Sequence, residues 1–373
     1  MSAHVIVPED ADGPLVQPAS RGELTMSSSF LDDVQTVLED FLADGSARAR
    51  PLSTEYQQMW SDLAVAATGG KRFRPALVVG AYGAYGGADR HLVAPVAAAV
   101  ELLHTAFVVH DDVIDGDHTR RGRPNLSGAA AQRAREAGAD VAHVRSYADT
   151  AGILGGDLAL AGAFGTVARC AAPPATIGRL LDLLDEAVHA SAAGELADVG
   201  LSTGLGSVSL GEVLTMAELK TAVYSFVLPL QVGAVLAGAA EPVVQQLGEV
   251  GRSVGISFQL QDDIVGVFGD EEQTGKSRLT DLREGRQTPL IAHARTTSAW
   301  SSIARWHGDS HLTPEQGDAV CDLLEECGSR RFIEDLAQGY LQAALDLAAD
   351  AQLPRELIDW VGTCTAGLTR SAA

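Results

Sequence analysis

The chain has 373 residues, 46% of them hydrophobic and 20% charged, with a formal net charge of −22. It can bury a core and is not disordered as a whole, and so acidic a balance argues against a nucleic-acid partner, which needs a basic face to meet phosphates. Four scattered cysteines, Cys170, Cys321, Cys327 and Cys364, form no Cys-x-x-Cys pair, which excludes a disulfide scaffold or a zinc site and suits a reducing cytoplasm.

Residues 1–28 are rich in Pro, Gly, Ser and acids and have no apolar period, so they read as a mobile tail. Their acidic start lacks the positive and apolar regions of a secretory signal. From Ser29, a possible helix cap, the spacing of Phe30, Leu31, Val34, Val37, Leu38 and Phe41 predicts a helix. Further helical stretches are expected at about Ala76–Tyr85, Leu92–Ile114, Ala148–Cys170, Ala175–Val199, Leu210–Gly238, Val243–Val267, Pro289–Ala304 and Arg331–Ala349. Joints fall at Gly69-Gly70, Pro173-Pro174 and Gly204–Gly206, and period-two alternation is nearly absent. The uncharged run between Lys220 and Glu241 is long enough to cross a bilayer. Thr221, Ser225, Pro229 and Gln231 within it favour a buried core helix over a membrane span. The expectation is an all-α fold, one bundle-like domain over residues 29–373, with helices apolar all round at its centre.

Two acidic clusters stand at the ends of apolar helices. In Glu101–Asp115, Asp111 and Asp115 are four apart and share a helical face with Phe107 and His104. Like charges at that spacing repel, and carboxylates at a helix C-terminus oppose its macrodipole. A magnesium-type cation, completed by phosphate and water, resolves the conflict. Residues Phe258–Asp270 repeat the design with Asp262 and Asp263, followed by Thr274-Gly275-Lys276. Two such pairs could clamp a diphosphate through several metal ions.

In so acidic a chain the clustered cations are informative. Gly69-Gly70-Lys71-Arg72-Phe73-Arg74-Pro75 sets three positive charges at a helix entry, and Arg120, Arg121 and Arg123 follow the first acids directly. Lys220, Lys276 and Arg286 complete the set. Taken singly, Arg72 and Arg123 read as ordinary surface charge. Arginine suits bidentate phosphate recognition and lysine supplies a mobile charge, so acids and cations together describe a site for two diphosphates.

These motifs, in this order and with Gly156-Asp157, Gly194-Glu195, Asp198 and Lys220-Thr221 between them, resemble the trans-type polyprenyl diphosphate synthases. The resemblance runs from about Phe30 to the C-terminus and implies an all-α barrel of long helices around a deep cavity, a homodimer, and magnesium as cofactor. It implies that Asp111 and Asp115 coordinate magnesium with Asp112 in support, and that Asp262 holds a further ion from the opposite wall. Lys71, Arg74, His104 and Arg121 would bind isopentenyl diphosphate. Arg120, Lys220, Thr221, Gln259, Lys276 and Arg286 would hold the allylic diphosphate. Residues four and five before the first acidic motif, Phe107 and Ala106, would form the floor that limits product length, and small Ala106 favours a geranylgeranyl product over farnesyl or longer ones.

One position departs from the family pattern. Gly266 stands where a third aspartate usually closes the second motif. Two other readings share the fold: a class I terpene cyclase, against which Lys71, Arg74 and Arg121 speak, and an inactive regulatory subunit, for which only Gly266 speaks.

Overall fold

The structure is a computed structural model that describes residues 28–205, 208–269, 279–354, 357–358 and 361. The expected tail, Lys276 and the rest of its loop lie outside the described residues. Among the described residues the fold is all-α apart from one ribbon of two two-residue strands. Helix α1 spans Ser28–Ala49, α2 Thr54–Ala66, α3 Phe73–Ala84 and α4 Arg90–Ile114. A β-ribbon of β1 (Thr119–Arg120) and β2 (Arg123–Pro124) leads to α5 (Leu126–Glu136), α6 (Val141–Ala168) and α7 (Pro174–Ser202). Then α8 (Leu210–Ala217), a π-helical segment (Glu218–Val227) and α9 (Leu228–Leu236) run as one rod. The series closes with α10 (Glu241–Phe268), α11 (Thr280–Glu284), α12 (Pro289–Ala294), α13 (Trp300–Ile303), α14 (Pro314–Glu326) and α15 (Ser329–Asp350).

Helix α4 is central because its sequence leaves it no polar face. Val93, Val96, Val100 and Leu103 are fully buried, and α1, α3 and α6 pack around it. Its start is fixed by Asp89, whose carboxylate accepts the N–H groups of His91 and Leu92. Helix α10 is held between α15 and the π segment, burying Val254, Leu260 and Ile264. Among the described residues three helical stretches are long and apolar enough to cross a membrane by length and composition: α4, α6 and the Leu210–Leu236 rod. Their most apolar windows are 72%, 44% and 61% buried against the protein's own helices, so the uncharged run after Lys220 is a core rod.

Several elements differ from the sequence-based expectation. The first helix starts at Ser28, so Ser29 lies inside it. The stretch expected at Pro289–Ala304 breaks into α12 and α13, with turns around Thr296 and Thr297 whose hydroxyls bond back to backbone carbonyls. Helices α2, α5 and α14 were not expected. Each starts at a side-chain cap, Ser53, Asn125 or Thr313, and is short, 13, 11 and 13 residues, so few apolar repeats mark it.

Candidate active site

The first wall of the site is the C-terminal end of α4. Asp115 closes the helix, its N–H bonded to the Asp111 carbonyl. Three carboxylates there would repel one another, and the chain answers with the turn that follows. The β-ribbon folds Arg120 back onto α4, its Nε 2.9 Å and Nη2 2.6 Å from Asp112 Oδ1, with Nη2 3.4 Å from Asp111 Oδ2. Asp112 is only 3% exposed. Burial raises its pKa, and Arg120 opposes that shift. Asp115 is likewise raised, first by burial and then by repulsion from Asp111.

Lys220 reaches the same acids from the π segment. Its Nζ lies 2.6 Å from Asp198 Oδ2, 3.0 Å from Glu195 Oε2 and 3.2 Å from Asp111 Oδ1. Burial opposes the ammonium charge, but Asp111, Asp198 and Glu195 overcome it and raise the Lys220 pKa. The π segment can approach α7 this closely because residue 194 is glycine. A Cβ there would sit 2.2 Å from the Lys220 backbone nitrogen. Gly194→Ala is therefore expected to push the π segment outward and to destabilise by about 1–3 kcal/mol. Thermal unfolding beside the wild type checks this, and an unchanged melting temperature would contradict so close a fit.

The second wall is the C-terminal half of α10 with α11 and the turn after it. Asp263 is 9% exposed and accepts a 2.8 Å hydrogen bond from Gln259 Nε2. Burial raises its pKa well above its ordinary value, the Gln259 bond opposes this, and Asp262, Asp281 and Asp198 add repulsion. Arg286 ties the two walls together, with Nη2 2.8 Å from Asp115 Oδ2 and Nε 2.7 Å from Glu284 Oε2. Between the walls is a cavity of about 470 Å³ whose lining includes Lys220, Thr221, Gln259, Asp262, Asp281 and Arg286.

A second group surrounds Tyr224. Arg74, 9% exposed, donates through Nη2 to Ser225 Oγ at 2.9 Å and to Tyr224 Oη at 3.3 Å. These partners are neutral hydroxyls. His104 stacks on Tyr224 at 5.9 Å between ring centroids, and Phe107 meets the same ring edge-on at 5.0 Å. Burial lowers the His104 pKa well below its usual value, with Arg74, Arg120, Arg121 and Arg72 adding to the effect, so the imidazole is neutral. Its buried Nδ1 has no hydrogen-bond partner among the described residues. Arg121 lies against the glycine loop, since a Cβ on Gly70 would be 3.2 Å from its Nη2. Lys71, in that loop, is exposed, and burial still lowers its pKa.

Two expected roles look different once placed. Arg72 is no surface charge: it pairs with Glu101 at 2.5 Å, and the two side chains are 15% and 8% exposed. Ala106 is fully buried among Trp60, Leu63 and Leu126, whereas Phe107 faces Tyr224. Tyr224 and Asp281 were not singled out by the sequence, and Ser225 only as a polar residue of the uncharged run. Nothing in that run marks Tyr224 or Ser225 as part of a site, and Asp281 in Thr280–Arg283 looks like ordinary helix charge.

The donor set suits a divalent cation bound together with a diphosphate. Asp111 Oδ1 is buried and lacks a hydrogen bond, its approach to Lys220 being misaligned. Asp112 and Asp115 are destabilised as anions by burial. Among the described residues no three His, Cys, Asp or Glu side chains are preassembled around a metal position. Carboxylates in this state need further oxygens from a ligand to complete a magnesium shell.

The site thus sets two acid-tipped helices of an all-α bundle around buried cations. Residues 56–312 match the polyprenyl synthetase family model. The geranylgeranyl diphosphate synthase of Methanosarcina mazei is 33% identical over 274 residues, covering 74% of this chain and 78% of that one. The (2E,6E)-farnesyl diphosphate synthase of Mycobacterium tuberculosis is 34% identical over 293 residues, covering 76% and 75%. The crystal structure of geranylgeranyl pyrophosphate synthase from Corynebacterium glutamicum, complexed with isoprenyl diphosphate and magnesium, superposes with a TM-score of 0.84. It is 26% identical and covers 92% of this chain and 99% of its own. The chain belongs to the polyprenyl synthetase family. It is a prenyltransferase of isoprenoid biosynthesis, with prenyl diphosphate synthase activity.

Proposed function

We propose that the protein joins isopentenyl diphosphate head-to-tail to an allylic diphosphate, with magnesium as cofactor and geranylgeranyl diphosphate as product. The observation that carries this reading is the presence of two groups of cations. One lies around Lys220 and Arg286 beside the acids, and the other around Arg74, Arg121 and neutral His104. A cyclase would have one diphosphate to hold.

Asp111, Asp115 and Asp262 would hold magnesium, which when bound draws electrons from the allylic diphosphate and stabilises it as a leaving group. Lys220, Thr221, Gln259, Arg120 and Arg286 hold that diphosphate, with Lys276 expected to join them. Arg120, Lys220 and Arg286 give up carboxylate contacts to reach it. Lys71, Arg74, Arg121 and His104 hold isopentenyl diphosphate so that its double bond faces the carbon that loses the diphosphate. The allylic carbon–oxygen bond breaks, the double bond supplies the electron pair for the new carbon–carbon bond, and a proton leaves to the departing diphosphate. Stabilising the leaving group is the main catalytic term. The apolar α4 and α10 exclude water that would trap the cation.

The geranylgeranyl assignment rests on the wall made by Phe107 and Tyr224, a single aromatic pair ahead of the first acids. Phe107→Ala is expected to lengthen the main product by one five-carbon unit, read by mass after dephosphorylation. An unchanged product would free Phe107 from that role. A homodimer is supported by the half-exposed apolar Ile153 and Leu154 on α6, and cytoplasmic placement by four cysteines without metal or disulfide spacing. The decisive experiment incubates purified protein with magnesium, isopentenyl diphosphate and farnesyl diphosphate. Geranylgeraniol after dephosphorylation supports the proposal, and no coupling with any allylic starter overturns it in favour of a regulatory subunit.

A further inference from the structure

Gly266 lies one turn beyond Asp262 on α10, on the same face. A side chain there would project into the cavity, yet that space is taken. An ideal Cβ on Gly266 would be 2.8 Å from Asp281 Oδ2 and 3.9 Å from its Cγ. The carboxylate of Asp281 therefore stands beside the point from which a longer side chain at 266 would extend. It comes from α11, 15 positions further along the chain.

The placement of Asp281 is fixed from behind. Its neighbour Leu282 is 2% exposed, anchored in the core with Leu279 and Ile303, and the Leu282 carbonyl accepts the Gly308 N–H at 2.7 Å. The Asp281 carbonyl accepts the Arg286 N–H at 3.0 Å. On the cavity side, Asp281 Oδ1 is 3.7 Å from Arg286 Nε, and Arg286 continues to Asp115 on the opposite wall. Asp281 and Asp262 line the same cavity. A side chain at 266 would make the Asp281 carboxylate shift, so glycine lets it rest where it stands.

We propose that Asp281 supplies to the divalent cation at Asp262 the carboxylate that Gly266 cannot, so that the second acidic motif is completed from another helix. The inference rests on the metal-dependent reading above and deepens it. Asp281 then stands beside Asp262 as a ligand of that cation. The gap at Gly266 is then no sign of lost activity.

The test measures binding and needs no turnover. Mn²⁺ uptake by the full chain is followed by electron paramagnetic resonance in the presence of inorganic pyrophosphate. The wild type is compared with Asp262→Asn, Asp281→Asn and the double variant Gly266→Asp/Asp281→Asn. Asp281→Asn is expected to weaken uptake by at least the roughly 10-fold lost when a group that only supports a metal ligand is removed. The double variant, which returns a carboxylate from position 266, is expected to recover most of the loss. Two results overturn the inference alone: uptake in Asp281→Asn equal to wild type while Asp262→Asn loses it, or a loss in Asp281→Asn that the double variant fails to recover at unchanged melting temperature. No uptake by the wild type overturns both the inference and the metal reading beneath it.

Discussion

Asp111→Asn is expected to lower kcat/KM by about 1,000-fold or more, roughly 4 kcal/mol of transition-state stabilisation. The substitution keeps the shape of the side chain and removes the charge, and Asp111 is where three demands meet. Its Oδ2 faces Arg120 at 3.4 Å, its Oδ1 faces Lys220 at 3.2 Å, and that oxygen has no hydrogen bond. A neutral amide there loses the attraction for a cation and also lets Arg120 and Lys220 rest more firmly on Asp112, Asp198 and Glu195. Folding should suffer little, because one like charge leaves a crowded cluster. Steady-state kinetics with isopentenyl and allylic diphosphates, alongside a melting curve, separates the two effects. Undiminished turnover would remove Asp111 from the mechanism.

The second large effect belongs to Lys220→Ala and is seen in stability as well as turnover. Lys220 Nζ is the shared cation of Asp198, Glu195 and Asp111, and its side chain is 19% exposed. Removing one partner of a mostly buried ion cluster leaves the others uncompensated, at a cost of about 3 kcal/mol. The loss should depend on pH in a definite direction. Burial already raises the pKa of Glu195, and Lys220 holds it down. Without Lys220 the folded-state pKa rises further above the unfolded value, so the folded protein binds the proton more tightly than the unfolded chain. Stability of the variant is then retained below the unfolded pKa and lost as pH rises through the folded one. Melting curves between pH 5 and 8 should show the deficit against wild type growing with pH. A constant deficit would mean that Lys220 contributes packing alone.

Much of the fold could be read from apolar spacing. Helices α4, α7, α10 and α15 lie close to their expected ranges because each carries a long apolar face that only a helical period explains. Helices α2, α5 and α14 escaped because they are short, so each offers only about two or three apolar repeats between its cap and its end. In the site, the acids and cations stood out as charge where charge is scarce. What they do to each other did not: that Arg120 rests on Asp112, or Arg286 on Asp115 171 residues away, follows only from the fold. Arg72 shows the reverse error, since a charge that reads as surface decoration is an interior ion pair because Glu101 happens to face it. Tyr224 and Ser225 were hidden by a different cause. They lie where the helix is not an α-helix, so a period of 3.6 residues assigns them the wrong neighbours.

That wider winding has an evolutionary consequence. A π segment accommodates one more residue than an α-helix of equal rise, so Glu218–Val227 is in effect an insertion absorbed without a loop. Deleting a single residue there would let the rod revert to ordinary winding and change the faces on which Lys220 and Tyr224 stand. The length of the stretch is therefore constrained along with its side chains.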